Sequence, residues 1–200
     1  MHIIGLTGAI ACGKSSIADE LRNFGAKTLD IDKVTKELLE YGGSLYSSDV
    51  QRYGKIVVNE DGGLNKKAVA DIIFNNESER QWVNSVAHPV LLNRARDFLT
   101  ECADNGEFLA VLEVPLLFEA GWDNLVDEVW AVHISRKLQI KRLMARDGIT
   151  RQEAVTRINA QMSSDEIAAR ADVVIDNSQL KIKIRKQILN LIRKRFVYLP

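Results

Sequence analysis

Residues 5–16 read GLTGAIACGKSS and contain the pattern G-x-x-x-x-G-K-S, set between the apolar run His2–Thr7 and a segment with Ile17, Ala18 and Leu21 at helical spacing. This strand–loop–helix context constrains the fold more than any other feature. A buried strand feeding directly into a helix requires a sheet with a helical layer upon it, and further strand–helix alternation makes that sheet parallel. Gly8 and Gly13 bracket a loop in which glycine permits positive φ and close approach of backbone to a phosphate. The backbone of Gly8, Ala9, Ile10, Ala11, Cys12 and Gly13 would cradle phosphates at the positive end of the helix beginning with Lys14, Ser15, Ser16 and Ile17. Lys14 should reach the β- and γ-phosphates, and the Ser15 hydroxyl should ligate Mg²⁺. The loop by itself does not distinguish a hydrolase, a kinase and a switch.

The rest of the chain continues the alternation. Lys14–Phe24 reads as a helix stopped by Gly25, and AKTLDI (26–31) as a second strand. Residues 33–105 read as several helices, with loops at 41–44 and 60–63. FLAVLEV (108–114) is almost wholly apolar, as expected of a strand buried on both faces. EVWAVHI (128–134) and ADVVIDN (171–177) are further strands. Residues 136–162 read as two Arg-rich helices around a break at Asp147–Thr150. The expected organisation is an α/β core, a parallel sheet sandwiched by helices, over 1–32, 106–135 and 163–200. A helical lobe spans 33–105 and a lid spans 136–162. Ligands of such sheets bind at the carboxyl ends of the strands, and the candidate residues fall there.

At 200 residues and 46% hydrophobic, the chain can bury one good core. Its formal net charge is zero, which excludes a global field drawing it to nucleic acid or membrane. The balance is uneven: residues 181–195 hold seven basic residues and no acid. We expect this segment to be a helix packing Ile182, Leu189 and Ile192 with its charges in water. Two cysteines, one inside the loop, do not make a disulfide framework. No signal-peptide pattern and no run of roughly 20 apolar residues are present, so the expectation is a cytoplasmic protein, with a monomer favoured.

Several charged residues are candidates for chemistry. Asp30 and Asp32 follow the second strand. If the strand continues they share a face, side chains alternating, and Asp32 would lie near the γ-phosphate if this strand neighbours the first. A carboxylate there could accept or orient an acceptor hydroxyl proton, or the two acids could cap the next helix. Glu113 ends a buried strand, where an acid requires a counter-charge or a metal. It suits a position holding Mg²⁺ through water, or an ion pair with a lid arginine. Arg142 and Arg146 are four apart, on one helix face, and with Lys141, Arg151 and Arg157 could stabilise charge on a transferring phosphoryl group. A solvated cationic face is the alternative.

These residues together resemble one family, dephospho-coenzyme A kinase. The runs that carry the resemblance are IIGLTGAIACGKSSIA (3–18), LDID (29–32), YGKIV (53–57), DGGLNKKAV (61–69), SVAHPVL (85–91), LEVPLLFEAGW (112–122), QIKRLMARDGIT (139–150), RINAQM (157–162) and ADVVIDN (171–177). They occur in order over nearly the whole chain. The resemblance implies a P-loop kinase fold and ATP- and Mg²⁺-dependent phosphorylation of the ribose 3′-hydroxyl of dephospho-coenzyme A, without nucleic-acid or membrane partners. It implies Asp32 as base, Lys14, Arg142 and Arg146 on the phosphates, and Asn177 on the nucleotide side. His88, Leu116, Leu117 and Phe118 would help to form the acceptor site.

The chain departs from the usual family pattern at Ala9 and Ala11, which stand for glycines, at Cys12, which stands for serine, and at Glu113, which stands for aspartate. An alanine at positive φ would carry strain of about 1 kcal/mol or more. Cys12, at a helix N-terminus, is expected to have a lowered pKa and to be open to oxidation. A kinase for another small molecule or nucleotide, and an ATP-binding protein without useful turnover, remain as alternatives at this point.

Overall fold

The computed structural model describes residues 1–196, apart from the side chains of Phe74 and Asn75. Strands β1 (His2–Thr7), β2 (Lys27–Asp30), β3 (Leu109–Glu113), β4 (Glu128–His133) and β5 (Val173–Asp176) form one sheet in the order β2-β3-β1-β4-β5. β1 pairs in parallel with β3 and β4, and β4 with β5: Ile4 lies opposite Val111 of β3 and Glu128 of β4, and Ala131 opposite Val174. β1 is central, and the chain passes from its β3 side to its β4 side, so the crevice at its carboxyl end is a topological switch point. β2 is separated from β1 by β3, which corrects the condition that placed Asp32 beside the loop as the end of a neighbouring strand.

Residues 1–29 and 100–200 form one compact unit and residues 30–99 another. In the first unit, helices α1 (Lys14–Asn23) and α9 (Lys181–Arg195) cover one sheet face. Ile17, Ala18 and Leu21 of α1 and Ile184, Ile188 and Ile192 of α9 pack on Ile4, Leu6, Leu109, Val111, Trp130, Val132 and Ile175. All five residues of β3 are buried, consistent with its continuous apolar run. On the same unit α6 (Arg136–Asp147) and α7 (Arg151–Asn159) form a hairpin with its own apolar cluster, Ile140, Leu143, Ala154 and Ile158. The break between them is built from Gly148 in the left-handed conformation and a capping box of Thr150 and Glu153. A short helix α8 (Ser164–Arg170), opened by a second capping box of Ser163 and Glu166, was not anticipated in the sequence. Its seven residues are too few for a periodic signal, although the S-x-x-E cap was there to be read.

The second unit contains α2 (Ile31–Leu38), α3 (Ser44–Tyr53), α4 (Lys66–Asn75) and most of α5 (Glu77–Asp104). Tyr46, Val57, Leu64 and Val69 form its core, and the Tyr46 hydroxyl donates to the Gly62 carbonyl at 2.7 Å. Arg52 forks onto Glu79, which also accepts from Tyr53. Among the described residues no helix is long and apolar enough to cross a membrane.

The basic helix α9 corrects one expectation in detail. Its buried stripe is Ile184, Ile188 and Ile192, one residue per turn, whereas Ile182 is 61% exposed. Helix spacing allows either stripe; the β-sheet beneath selects the one that continues from its contacts with α1. Ile188→Ala is therefore expected to destabilise the fold by about 2–5 kcal/mol and Ile182→Ala by no more than about 0.5 kcal/mol, read as the shift in a urea unfolding midpoint.

Candidate functional site

The chain leaves β1 at Gly8, where a Cβ would stand 2.7 Å from Cys12 Sγ and 2.8 Å from the Val132 carbonyl oxygen. Only glycine lets the backbone pass so close to β4. Gly13, the N-cap of α1, has φ +88°, and a Cβ there would run into the Asn177 amide. The two glycines of the motif are thus required by crowding and by conformation. Of the two alanines, Ala11 has φ +61° and Ala9 does not have positive φ. Ala11 is the one non-glycine residue in that region among the described residues.

Three side chains hold the loop's carbonyls from outside. Gln139 Nε2 donates to Ile10 O at 2.9 Å, Arg142 Nη1 to Cys12 O at 3.2 Å, and Asn177 Nδ2 to Cys12 O at 2.7 Å. No peptide bond of the described chain is cis, so the C=O and N–H of each peptide point in opposite directions. Pinning Ile10 O and Cys12 O to these side chains turns the N–H groups of Ala11 and Gly13 away from them. Converging N–H groups with a helix end behind them are an anion cradle. Ser15, in the first turn of α1, is exposed and its hydroxyl makes no hydrogen bond among the described residues. Ser16 is exposed and Ile17 is buried beneath the helix.

Arg142 also donates through Nη2 to Asn177 O at 2.9 Å. A guanidinium has five N–H groups, so two hydrogen bonds leave donors for a ligand. Arg146 forks onto Asp147, which also accepts from Arg157 at 2.9 Å. Hydrogen bonding from Arg146, aided by Arg157, holds the Asp147 carboxyl below its usual range. The hairpin's cations are therefore partly organised by one acid at its corner. An open cleft of about 530 Å³ is lined by Ile10 of the loop, Leu116 and Glu119 after β3, Arg157, Asn159 and the residues 160–162 after α7.

The structure separates Leu116, Leu117 and Phe118. Leu116 is 43% exposed and faces the cleft. Leu117 is fully buried, its Cδ1 only 2.6 Å from where a Cβ on Gly5 would stand, so it packs against the sheet and cannot present itself to a ligand. Phe118 is nearly buried, with the Arg170 guanidinium 4.1 Å over its ring. His88 is exposed in α5, immediately before Pro89.

At the start of the second unit the helix begins at Ile31, two residues before the expected start near Lys33. Asp30 is extended and Ile31 already helical, so Asp30 and Asp32 do not share a strand face. Asp30 Oδ1 caps α2 by accepting from the N–H groups of Asp32 and Lys33. That leaves Asp32 exposed, its carboxylate without a hydrogen bond or ion pair among the described residues.

One further expectation is corrected. Cys12 is 2% exposed and belongs to the sheet's apolar core, packed toward Gly8. Burial pushes its thiol pKa up, against the smaller opposing influence of Lys14. The sequence places the residue at a helix N-terminus but does not say to which side Sγ turns. Alkylation of Cys12 by iodoacetamide at pH 8 is expected to be about 100-fold or more slower in the folded chain than in urea, followed by peptide mass mapping.

Glu113, 2% exposed, has a counter-charge on α1. It accepts from Arg22 of α1 at 3.2 Å, and Arg22 also binds Asp19 and Thr28. Arg22→Met removes this counter-charge and is expected to cost about 3 kcal/mol. Adding Glu113→Leu should recover most of that loss, because the charge and its partner are then removed together; urea denaturation measures both.

Comparison with known proteins agrees with this geometry. The family model described as dephospho-CoA kinase matches residues 2–182. A dephospho-CoA kinase of Carboxydothermus hydrogenoformans is 41% identical over 194 residues, 97% of this chain and 94% of the relative. A crystal structure from Thermus thermophilus superposes with a TM-score of 0.82 at 29% identity, covering 97% of each chain. The shikimate kinase of Aquifex aeolicus, at 13% identity and a TM-score of 0.53 over 98% of each chain, shares the fold alone. A phosphate loop at the switch point of a 2-3-1-4-5 sheet, and a family match over almost its whole length, place this chain in the dephospho-CoA kinase family.

Proposed function

We propose that this protein transfers the γ-phosphoryl group of ATP to the ribose 3′-hydroxyl of dephospho-coenzyme A, giving coenzyme A and ADP in the last step of coenzyme A synthesis. The observation that carries the reading is the loop: its carbonyls are held by Gln139, Arg142 and Asn177 and its N–H groups are turned away from these side chains. That arrangement is built for a polyphosphate, and the family match supports the acceptor.

Each side chain has a role that follows from its chemistry. Lys14, first residue of α1, neutralises charge on the β- and γ-phosphates. Arg142, with donors beyond those that hold the loop, and Arg146 stabilise the charge that spreads over the transferring group. Asn177 fixes the loop and lines the nucleotide side. Asp32 accepts the proton of the attacking hydroxyl; the capping duty rests on Asp30, which leaves the Asp32 carboxylate available. Leu116, beside Ile10 and Met162 in the open cleft, offers apolar surface to the acceptor, and His88 of α5 is a further acceptor residue. Leu117 and Phe118 act by supporting Leu116 rather than by contact.

The donor set fits Mg²⁺. Among the described residues no cluster of three or more His, Cys, Asp or Glu could cage a metal. Mg²⁺ is usually held by one or two protein oxygens with water and substrate phosphates, here the Ser15 hydroxyl and, through water, Glu113. When bound it neutralises charge on the β- and γ-phosphate oxygens. Transfer to an alcohol also requires that water be kept out, and the hairpin of α6 and α7, seated on the loop, supplies that cover.

A coupled ADP-release assay with ATP and Mg²⁺ should show release only when dephospho-coenzyme A is present, with the product gaining one phosphate by mass. Asp32→Asn should lower kcat by about 10²- to 10⁴-fold, and Lys14→Ala should lose both ATP affinity and rate. ATP consumption indifferent to the acceptor, or Asp32→Asn with near-normal turnover, would contradict these assignments.

A further inference from the structure

The phosphate loop contains an alanine in a conformation that alanine resists, and the structure shows what holds it there. The φ and ψ of Ala11 are set by the orientation of the peptides before and after it. The peptide after it is fixed within the loop, where Cys12 N donates to Ala9 O at 3.1 Å. The peptide before it is fixed from outside, where Gln139 Nε2 donates to Ile10 O at 2.9 Å. Gln139 is 2% exposed, a buried amide on α6. Beside it the Ala11 methyl and Ile10 pack on the hairpin cluster of Ile140, Leu143, Ala154 and Ile158. A left-handed alanine is strained, and such strain persists only where the surroundings over-determine it.

We infer that Gln139 is a positioning residue for ATP binding: its hydrogen bond to Ile10 O holds Ala11 in the left-handed form that turns the loop's N–H groups inward. Arg142 and Asn177 restrain the following carbonyl and do not substitute for it, because the torsion of Ala11 lies upstream of Cys12 O. Without the Gln139 amide the alanine relaxes, and the loop is competent to bind phosphate for only part of the time. Apparent affinity then falls by the competent fraction. The inference rests on the reading that ATP is the loop's ligand.

The test is a cycle between positions 139 and 11. Gln139→Met keeps length and apolar stem and removes the donor. Calorimetric titration with ATP and Mg²⁺ should show binding weakened about 10-fold, on the scale of one lost hydrogen bond to a buried carbonyl. KM for ATP should rise in step, while KM for the acceptor stays within about twofold. Ala11→Gly in the same background should return ATP binding to within about threefold of wild type, because glycine takes this φ without cost. Ala11→Gly alone is the reference against which the double variant completes the cycle. A merely structural glutamine would lower the melting temperature without this rescue.

Gln139→Asn, which keeps the amide but withdraws it by one methylene, is read in the same way should the methionine variant not fold. Unchanged ATP binding in the position-139 variant, or a loss that Ala11→Gly does not restore, overturns the inference while wild-type binding of ATP leaves the kinase reading standing. A wild-type chain that does not bind ATP overturns both.

Discussion

The orientation of a few peptide groups at the end of β1 is the constraint on which the rest of the structure turns. Phosphate is bound by N–H groups, and each N–H is fixed by whatever holds the carbonyl on the other side of the same peptide. In this chain those carbonyls are held by side chains from three distant stretches of sequence: Gln139 and Arg142 on α6 and Asn177 after β5. The sheet brings them together, since β4, which leads into α6, stands beside β1, and β5, which leads to Asn177, stands beside β4. The parallel pairing, the crossover around β1 and the placing of the hairpin all serve that junction.

The departures from the usual family loop become intelligible in these terms. Ala9 and Cys12 are buried, and the Cys12 side chain adds to the core that α1 and the sheet share. Ala11 adds strain at φ +61° but also a methyl that packs on the hairpin cluster. A loop of glycines would be free of strain and free of those contacts; this loop is stiffer and tied to the hairpin that covers it. Glu113 shows a similar exchange. A carboxylate in a fully buried strand is costly alone, and Arg22, reaching across from α1, supplies the opposite charge while its stem stays partly in water.

Much of the fold was legible because its signals are local. A largely apolar six-residue strand, a loop bounded by glycines and a helix with Ile17, Ala18 and Leu21 on one face declare themselves by their local pattern. So do β3, wholly buried and apolar up to Glu113, and the hairpin break at Gly148 and Thr150. The errors arose where a local pattern has two solutions. α9 could bury Ile182 or Ile184, and the sheet beneath decided. Asp30 and Asp32 could end a strand or begin a helix, and Asp30 proved to be the cap. The short α8 carried a cap signal but too few turns to show a period. Among the site residues, Lys14, Ser15 and Arg142 were visible from motif and spacing, whereas Gln139 was not. A glutamine in a charged helix looks like surface, and only burial and a carbonyl 129 residues away reveal otherwise.

The sequence by itself determined the alternating strands and helices, the phosphate loop and its two required glycines, and the family to which the chain belongs. These depend on residue type and short-range spacing, which survive without knowledge of contacts. The tertiary structure alone decided the strand order with β3 between β1 and β2, the inward turn of Cys12, the pairing of Glu113 with Arg22, and the three side chains that hold the loop. Each of these is a contact between residues far apart in the chain. Which of several chemically adequate partners a buried group acquires depends on how the elements pack, and no local pattern records it.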